Sequence, residues 1–458
     1  MKIALVFPRF KYPSGDPPIG ISYIASLLRE QTEVDLEIID TTFYQGNSEK
    51  LIRQIFSQKS YDIVGISCMT TMIRDGLTIA QVIKKYFPAT KVIFGGPHPT
   101  VLPDETIKNP YVDAICIGEG EITFLELVQQ GGNFINVNGL WYKNAHGDVI
   151  KNNPREKIEN IDVLPYPAFD LLPMEDYFKY WFQLDSVARN LRGINLLTSR
   201  GCPYRCSFCQ PTLCKLFGEK LRQRSPANVI SEIEWWKEKY GTNAVMFQDD
   251  TLVVNRRWIE ELCDLLIINK TNVSWGCNTR VDLVERDMFL KMKQAGLRKA
   301  FIGIESGSQR VLDEIYNKKI THDQVIRAVS ILKSIDIKIQ GYFMIGAPTE
   351  TEKEIESTIK FAKKLDIDEA TFSITTPLPG TYLYDNTKNH INQEIDNLDY
   401  YSKSIYDDRI SLGHNKLNRL KKKAMLMFYL SPKHIGYTLN SFASMEAAKK
   451  SLMKLQRF

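Results

Sequence analysis

Residues 198–209 read TSRGCPYRCSFC and place three cysteines at C-x3-C-x2-C spacing, namely Cys202, Cys206 and Cys209. The stretch directly follows an apolar run at 194–197 that is typical of a strand. Gly201 and Pro203 favour an irregular loop, which lets the three thiols fold back around a common centre. Cysteine thiolates hold iron–sulfur clusters. Three ligands to a four-iron cluster would leave one iron free to bind a further group.

Spacing alone leaves other interpretations of the cysteines open. Cys214 lies five residues beyond Cys209, so four thiols could hold zinc, although zinc sites more often pair their ligands in two separated knuckles. Cys214 could instead be an extra catalytic thiol or a structural residue. The other cysteines fall in predicted strands or helices and read as small core residues: Cys68, Cys116, Cys263 and Cys277.

The cysteine stretch lies near the start of a region, 191–385, in which strands and helices alternate six times. The predicted strands are 194–198, 244–248, 273–278, 299–305, 338–345 and 370–376. Six parallel strand–helix units make an incomplete barrel of the (β/α)6 TIM type, whose active site faces the carboxyl ends of its strands. The polar residues at those ends are therefore candidate ligand contacts.

The cysteine spacing and the six strand–helix units together resemble the radical S-adenosylmethionine (SAM) superfamily. The resemblance implies a [4Fe-4S] cluster on Cys202, Cys206 and Cys209, which would be both metal ligands and catalytic residues. The free iron would bind the amino and carboxylate groups of SAM, and an electron from the cluster would release a 5′-deoxyadenosyl radical. Phe208, which precedes the third cysteine, would lie near the adenine.

The resemblance also implies SAM contacts at the ends of the second to fifth strands: Gln248, Asp249, Arg280, Glu305, Ile345 and Gly346. The second strand end would hold the SAM ammonium group, the fourth the ribose hydroxyls, and the backbone of the fifth the adenine. Arg280 suits the SAM carboxylate because a guanidinium matches its two oxygens. The structural alternatives are that Asp250 caps the next helix and that Glu305 pairs with Arg280.

Residues 1–130 alternate short apolar runs with helical periodicity, and the predicted strands are 2–7, 36–39, 63–67, 91–95 and 114–117. This alternation predicts an α/β domain with a doubly wound, Rossmann-like parallel sheet, which binds its ligand at the carboxyl ends of the strands.

The loops at those strand ends resemble the cobalamin-binding domain that precedes one branch of radical SAM enzymes. Ser67 comes 28 residues before the first glycine of a Gly-Gly pair, Gly95, and glycine there would let backbone approach the corrin and its tail. The resemblance implies cobalamin contacts from Pro18, Gly20, Ser67, Thr70, Gly95, Gly96, Pro97, His98, Gly118, Glu119 and Gly120. A doubly wound domain that binds another nucleotide, or no ligand, is the alternative.

The sequence departs from that family at the lower cobalt ligand. The usual D-x-H-x-x-G motif after the first strand is absent, and no histidine precedes His98. We therefore expect bound cobalt to lack a protein histidine. His98 itself, between two prolines, is expected to be structural or to donate to the corrin amides.

Residues 131–190 are predicted to connect the two domains. They contain a hairpin at 139–150 and a proline-rich linker at 164–170. Aromatic residues at 177–182 are expected to pack between domains, with lining of a substrate cavity as the alternative.

Residues 386–458 are predicted to form a helical C-terminal region. Basic residues at 416–423 precede an apolar run at 425–430, a combination that could contact a membrane surface or an acidic substrate. A solvated helix covering the open side of the barrel is the simpler interpretation.

The composition excludes several classes of protein. A chain of 458 residues with 43% hydrophobic and 25% charged residues is typical of a soluble protein of two to four units. We expect no signal peptide and no membrane span, and eight scattered cysteines favour the reducing cytoplasm. A net charge of +5 does not indicate nucleic acid binding.

Over nearly its whole length the chain resembles the radical SAM enzymes that carry a cobalamin-binding domain. The leading hypothesis is a cobalamin-dependent methyltransferase, which moves a methyl group from methylcobalamin to an unactivated carbon. The alternative is a cyclase, oxidase or rearrangement enzyme with the same cofactors. A non-catalytic cobalamin- or metal-binding protein is disfavoured, because it would not need the full set of cysteines and strand-end residues. The resemblance implies a small-molecule, lipid or peptide substrate and a flavodoxin- or ferredoxin-like electron donor.

Overall fold

Two parallel sheets, each in its own unit, organise the chain. The computed structural model describes residues 1–9, 13–44, 46–188, 190–392 and 404–436. The described residues of the first unit are Met1–Tyr180, without 10–12 and 45, and Pro211–Arg222. Those of the second unit are 181–188, 190–210, 223–392 and 404–436. The chain thus leaves the second unit after Gln210 and returns to it at Gln223.

The first unit is built on a seven-stranded sheet in the order β2-β1-β3-β4-β5-β6-β7. Its strands are β1 (Lys2–Phe7), β2 (Asp35–Asp40), β3 (Ile63–Ser67), β4 (Lys91–Gly95), β5 (Ala114–Cys116), β6 (Leu140–Lys143) and β7 (Val149–Lys151). The first five are parallel, in the flavodoxin-like order, and the last two add an antiparallel edge. The predicted doubly wound sheet is confirmed, and the predicted hairpin belongs to it.

Helices cover both faces of this sheet. They are α1 (Ile19–Gln31), α2 (Ser48–Gln58), α3 (Ile73–Tyr86), α4 (Pro97–Val101), α5 (Pro103–Lys108), α6 (Glu121–Gln129), α7 (Met174–Lys179) and α8 (Thr212–Phe217). Two clusters of buried apolar residues form the core of the unit. Because alternate strand residues face opposite sides, β1, β3, β4 and β5 each contribute buried residues to both clusters, as Ala4 and Leu5 of β1 do.

The second unit contains a six-stranded sheet in the order β15-β14-β13-β12-β11-β8, parallel throughout. The remaining strands of the chain are β8 (Gly193–Leu196), β9 (Ser199–Arg200), β10 (Arg222–Gln223), β11 (Ala244–Phe247), β12 (Ser274–Thr279), β13 (Leu297–Glu305), β14 (Lys338–Ile345) and β15 (Glu369–Ile374). All six predicted barrel strands are therefore confirmed, with shifts of one or two residues at their ends.

Helices alternate with these strands as predicted. They are α9 (Pro226–Tyr240), α10 (Arg256–Ile268), α11 (Arg286–Gln294), α12 (His322–Ser334), α13 (Glu352–Lys364), α14 (Tyr382–Thr387) and α15 (His414–Tyr429). The start of α9 shows why helix ends could be predicted from the sequence. The Ser225 side chain accepts from the Asn228 amide, and Pro226 occupies the first turn. Gly241 ends the helix in the left-handed conformation.

Aromatic residues of the connector are buried within the separate units. Tyr177 donates to Asp40 at 2.7 Å in the first unit. Trp181 donates to Asn195 at 2.8 Å in the second unit and packs with Met246 and Phe301 of the barrel strands.

The basic residues of α15 pair with acids on α13. Lys416 lies 2.7 Å from Glu352, and Lys423 lies 2.8 Å from Glu356. These pairs favour the interpretation of α15 as a helix that packs on the barrel. The parts of the predicted C-terminal helical region at 393–403 and 437–458 lie outside the described residues. Within the described ranges, no helix is long and apolar enough to cross a membrane. The division at residues 130, 190 and 385 stays a prediction.

Candidate active site

The cysteine loop follows β8 and β9 and is closed by its own hydrogen bonds. The Cys206 carbonyl accepts from the amides of Cys209, at 3.1 Å, and of Gln210, at 2.9 Å. The Gln210 side chain donates to the Cys202 carbonyl at 3.2 Å. These bonds join the backbone around the three predicted cluster ligands into one irregular loop, as Gly201 and Pro203 led us to expect.

The surroundings of the thiols suit an anionic metal centre. None of the eight cysteines, all of which are described, forms a disulfide. Burial raises the pKa of the Cys202, Cys206 and Cys209 thiols above the usual value. At Cys206 the positive charges of Lys318 and Arg280 act in the opposite direction and lower the pKa. Because metal ligation requires thiolates, two cations beside these thiols fit a cluster held by cysteine.

The described part of the chain holds no group of three or more His, Cys, Asp or Glu side chains placed to share a single metal ion. A [4Fe-4S] cluster distributes its thiolates over separate iron atoms, so its ligands do not have to converge on one point.

Asp249 is fully buried and supports the base of the cysteine loop. Its carboxylate accepts from the Thr198 amide at 3.1 Å and from the Thr198 hydroxyl at 2.9 Å, and it also accepts from the Ser199 hydroxyl. Burial raises the pKa of Asp249, and these hydrogen bonds oppose the rise. The neighbouring Gln248 is half-buried at the same strand end. Of the two residues predicted to hold the SAM ammonium group, Gln248 is thus the more accessible.

Two structural alternatives from the sequence are wrong. Glu305 does not pair with Arg280; it lies 2.5 Å from Lys318, and both side chains are less than 10% exposed. Asp250 does not cap the next helix, because Asn255 accepts from the Trp258 amide at the start of α10. Glu305 also has a φ of 65°, at an irregularity in the pairing of β13 with β14. Such backbone strain is common at functional sites.

The end of β14 is closed by Glu350. Its Oε2 accepts from the amides of Gly346 and Ala347 at 2.6 and 3.0 Å, while no described residue offers a hydrogen bond to Oε1. Burial raises the pKa of Glu350 to about 7. The Ile345 carbonyl accepts from Thr375. These backbone groups, predicted to meet adenine, therefore already have partners within the protein.

Phe208 is half-buried and packs edge-on against Tyr316, with ring centroids 5.4 Å apart. The Tyr316 hydroxyl in turn lies 2.6 Å from that of Thr375. This contact connects the cysteine loop to the loop after β13 and to the end of β15.

In the first unit, hydrogen bonds join the loops after β3 and β4. His98 lies 3.3 Å from the Thr70 hydroxyl, and its amide donates to the Cys68 carbonyl. Burial lowers the pKa of His98 to about 4, so the imidazole is neutral near pH 7. Gly96 has a φ of 91°, and a Cβ there would lie 3.0 Å from both the Cys68 carbonyl and Ser67 Oγ.

The loop after β5 is held largely by its own unit. Glu119 accepts from Arg222 and from the Ile158 amide. A Cβ on Gly118 would lie 2.8 Å from the Lys157 ammonium group, and one on Gly120 would lie 3.0 Å from a side chain on α1. Glu119 is therefore a structural anchor of this loop.

The remaining cobalamin candidates lie at the same strand ends. Pro18 is buried immediately before α1, Gly20 is exposed in its first turn, Gly95 ends β4, and Pro97 begins α4. The buried Thr71 hydroxyl, in the loop after β3, has no partner among the described residues. A close-packed glycine backbone and an unpaired hydroxyl at one sheet edge fit a large polar ligand such as a corrinoid.

Several site residues had little or no signal in the sequence. Lys318 and Glu350 lie in loops without a recognised motif, and the bond between Glu119 and Arg222 spans 103 positions. Asp282 could have been found, since an acid two residues after Arg280 is a local charge pair.

The similarity of the chain to known protein families agrees with this geometry. A model of the radical SAM superfamily matches residues 196–362, and a model of the B12 binding domain matches residues 11–128. The fold and the site define a cobalamin-dependent radical SAM enzyme, and the chain belongs to that family, whose cofactors are cobalamin, SAM and a [4Fe-4S] cluster.

An uncharacterized methyltransferase of Pyrococcus horikoshii is 37% identical over 94% of this chain and 93% of its own length. An anaerobic magnesium-protoporphyrin IX monomethyl ester cyclase of Rubrivivax gelatinosus is 29% identical over 84% of this chain and 69% of its own length. The solved structure of the cobalamin-dependent SAM radical enzyme OxsB aligns with a TM-score of 0.73 at 18% identity, covering 100% of this chain and 71% of that one. The last likeness shows a shared fold.

Proposed function

We propose that this enzyme transfers a methyl group to an unactivated carbon of its substrate. The observation that carries the proposal is the similarity to a methyltransferase along almost the entire chain, at 37% identity. Both cofactor regions support it, because the cysteine loop and the glycine-rich sheet edge occur in one polypeptide. When bound, the cofactors would supply a hydrogen-abstracting radical and a transferable methyl group.

We assign the following roles to the residues of the second unit. Cys202, Cys206 and Cys209 hold the cluster. Gln248 and Glu305 contact SAM, with Lys318 orienting the Glu305 carboxylate through their 2.5 Å ion pair. Asp249 holds the entry to the cysteine loop through Thr198 and Ser199 rather than touching SAM. In the first unit, the loops around Ser67, Gly96 and His98 cradle the corrinoid.

The proposal includes a source of electrons and a cellular location. Cluster chemistry needs one electron at a time, and we assign its supply to a flavodoxin- or ferredoxin-like protein. Eight cysteines without a disulfide and an iron–sulfur cofactor suit the reducing cytoplasm.

Reconstitution tests the cofactor assignment. The protein is purified without oxygen, incubated with iron, sulfide and hydroxocobalamin, and analysed for iron, zinc and cobalt. We expect about four irons per chain and one cobalamin. Cys206→Ala should lose most of the iron, while Cys214→Ala, the matched control, should retain it. Equal iron loss in both variants, or zinc in place of iron, would overturn the assignment.

Isotope transfer tests the reaction. The loaded enzyme receives SAM with a trideuterated methyl group, a reductant and an anaerobic metabolite extract. The expected product is a metabolite that carries the trideuteromethyl group on carbon. Formation of 5′-deoxyadenosine with substrate consumed but no label transferred would instead support ring formation, the second candidate, which the 29% identity to a cyclase favours.

A further inference from the structure

The guanidinium of Arg280 is almost completely occupied by contacts within the second unit. Its Nε donates to Asp282 at 3.0 Å, and its Nη2 donates to Asp282 at 3.1 Å and to the Lys318 carbonyl at 2.9 Å. The Nη1 donates to Cys206 Sγ at 3.7 Å. Its Cζ lies 3.8 Å from the centroid of the Tyr204 ring, so the group is also held from one face.

These contacts leave too few donors for a SAM carboxylate. A guanidinium has five N–H groups, and Asp282, Lys318 and Cys206 take four of them. Bidentate hydrogen bonding to a carboxylate needs two adjacent N–H groups. With one N–H group left, Arg280 could provide two adjacent donors only by giving up at least one of its bonds to Asp282, Lys318 or Cys206. Arg280 is only 6% exposed, which makes such a rearrangement costly.

We propose that Arg280 is a positioning residue that sets the reduction potential of the cluster through its N–H···S bond to Cys206, rather than a ligand of SAM. The inference rests on the proposed function only in assigning Cys206 to the cluster. Hydrogen bonds to cysteine sulfur and nearby charge are the means by which proteins adjust iron–sulfur potentials. The Tyr204 ring and the Lys318 carbonyl hold the guanidinium in the orientation that makes this bond.

The direction of the effect follows from charge. Reduction adds one electron from an external low-potential donor, and no proton or bond is exchanged with Arg280. The donor N–H and the positive charge of Arg280 stabilise the added negative charge on the sulfur, so they raise the potential. Asp282 partly neutralises the same charge and therefore lowers the potential.

This opposition gives two variants with shifts of opposite sign. In the reconstituted full-length enzyme without substrate, Arg280→Gln should move the midpoint potential to a more negative value. Asp282→Asn should move it to a less negative value. Arg280→Lys, which keeps the charge without the fork of donors, should lie between wild type and Arg280→Gln. The exposed Arg256→Gln, the matched control, should leave the potential unchanged.

The experiment is a redox titration with a titanium(III) chelate, followed by electron paramagnetic resonance, with SAM affinity measured separately by equilibrium dialysis. We expect the SAM dissociation constant of Arg280→Gln to stay within about twofold of wild type. An unchanged potential with SAM affinity reduced tenfold or more would overturn the proposal. If Arg280→Gln does not retain iron, the midpoint potential of Asp282→Asn tests the proposal alone. A shift of that potential to a more negative value, or no shift, contradicts the proposal.

The two proposals fail separately. The titration needs neither substrate nor methyl transfer, so an enzyme that forms no methylated product can still show the opposite shifts. Conversely, methyl transfer with no change of potential in either variant would leave the proposed reaction intact and remove the role of Arg280.

Discussion

Arg222 and Glu119 form a two-pronged ion pair, with Nη1 and Nη2 lying 3.0 and 2.9 Å from the two carboxylate oxygens. Both side chains are buried, at 6% and 4% exposure. Arg222 donates further to the carbonyls of Ile158 and Phe217. The pair therefore fastens the segment that follows the cysteine loop to the loop after β5.

Removing one partner of this pair should be strongly destabilising. Arg222→Ala removes the two-pronged ion-pair partner of the buried Glu119 carboxylate, and the expected loss in unfolding free energy is about 3–5 kcal/mol. The control is Arg29→Ala, whose pair with Asp170 is 39% and 30% exposed, with an expected loss below about 1 kcal/mol. Urea unfolding measures both. Equal losses would mean that the buried pair has no special role.

Gly96→Ala should impair cobalamin binding. The substitution combines backbone strain at a φ of 91° with a Cβ 3.0 Å from the Cys68 carbonyl. Gly147→Ala, at a φ of 85° with nothing within 4 Å of its Cβ, isolates the strain, expected at about 1–2 kcal/mol. Visible spectra recorded during titration with hydroxocobalamin give the affinity. We expect Gly96→Ala to bind cobalamin at least tenfold more weakly than wild type, and Gly147→Ala to bind it as tightly as wild type. Similar affinities for the two variants would remove Gly96 from the cobalamin site.

Gly303→Ala should weaken SAM binding through the Glu305–Lys318 pair. A Cβ at this position would clash with both Glu305 Oε1 and Lys318 Nζ, so the ends of both side chains must move from their present positions. We expect roughly tenfold lower affinity, or about 1.4 kcal/mol. Gly436→Ala, which meets nothing within 4 Å, is the control. Unchanged affinity in equilibrium dialysis would place Glu305 away from bound SAM.

Glu350 should make stability fall as the pH rises towards neutrality. Its pKa is about 7 when folded, against an ordinary value of 4.5, because burial disfavours the charged form. Between these two pKa values the folded state keeps a proton that the unfolded state has lost. The contribution of Glu350 to the free energy of unfolding is therefore fully present below pH 4.5 and is lost as the pH rises to about 7. The slope is at most about 1.4 kcal/mol per pH unit.

Glu350→Gln provides the comparison, since glutamine can still accept from the Gly346 and Ala347 amides but does not titrate. Urea unfolding between pH 5 and pH 7 should show wild type losing stability relative to the variant. The pKa of His98, lowered to about 4 by burial, acts with the opposite sign in both proteins and cancels. If the unfolding free energies of wild type and Glu350→Gln change with pH in parallel, the pKa of Glu350 is not raised.

Local pattern was sufficient to predict the strands and the loops at their ends. Residues 338–345 alternate side chains between two faces, and β14 occupies that range. Six such units in succession leave few arrangements other than a parallel sheet. The cysteine loop was predictable for the same reason, because its spacing and its position after a strand are local features.

Partner choice at the site was not predictable in the same way. Arg280 bonds to groups 38 and 74 positions away along the chain, and Glu119 to one 103 positions away. Periodicity indicates which face a residue occupies but not which distant side chain meets it there. Arg280, Asp249 and Glu119 were all predicted as cofactor contacts, and the structure shows for each of them hydrogen-bond partners within the protein that the sequence did not indicate.

The return of residues 211–222 to the first unit interleaves the two units in order of synthesis. A ribosome releases 181–210, including the three cysteines, before Arg222 becomes available to Glu119. The first unit therefore lacks one of its segments until residue 222 has been synthesised. No single cut in the sequence separates the units, so a truncation after residue 180 removes part of the first unit together with the second.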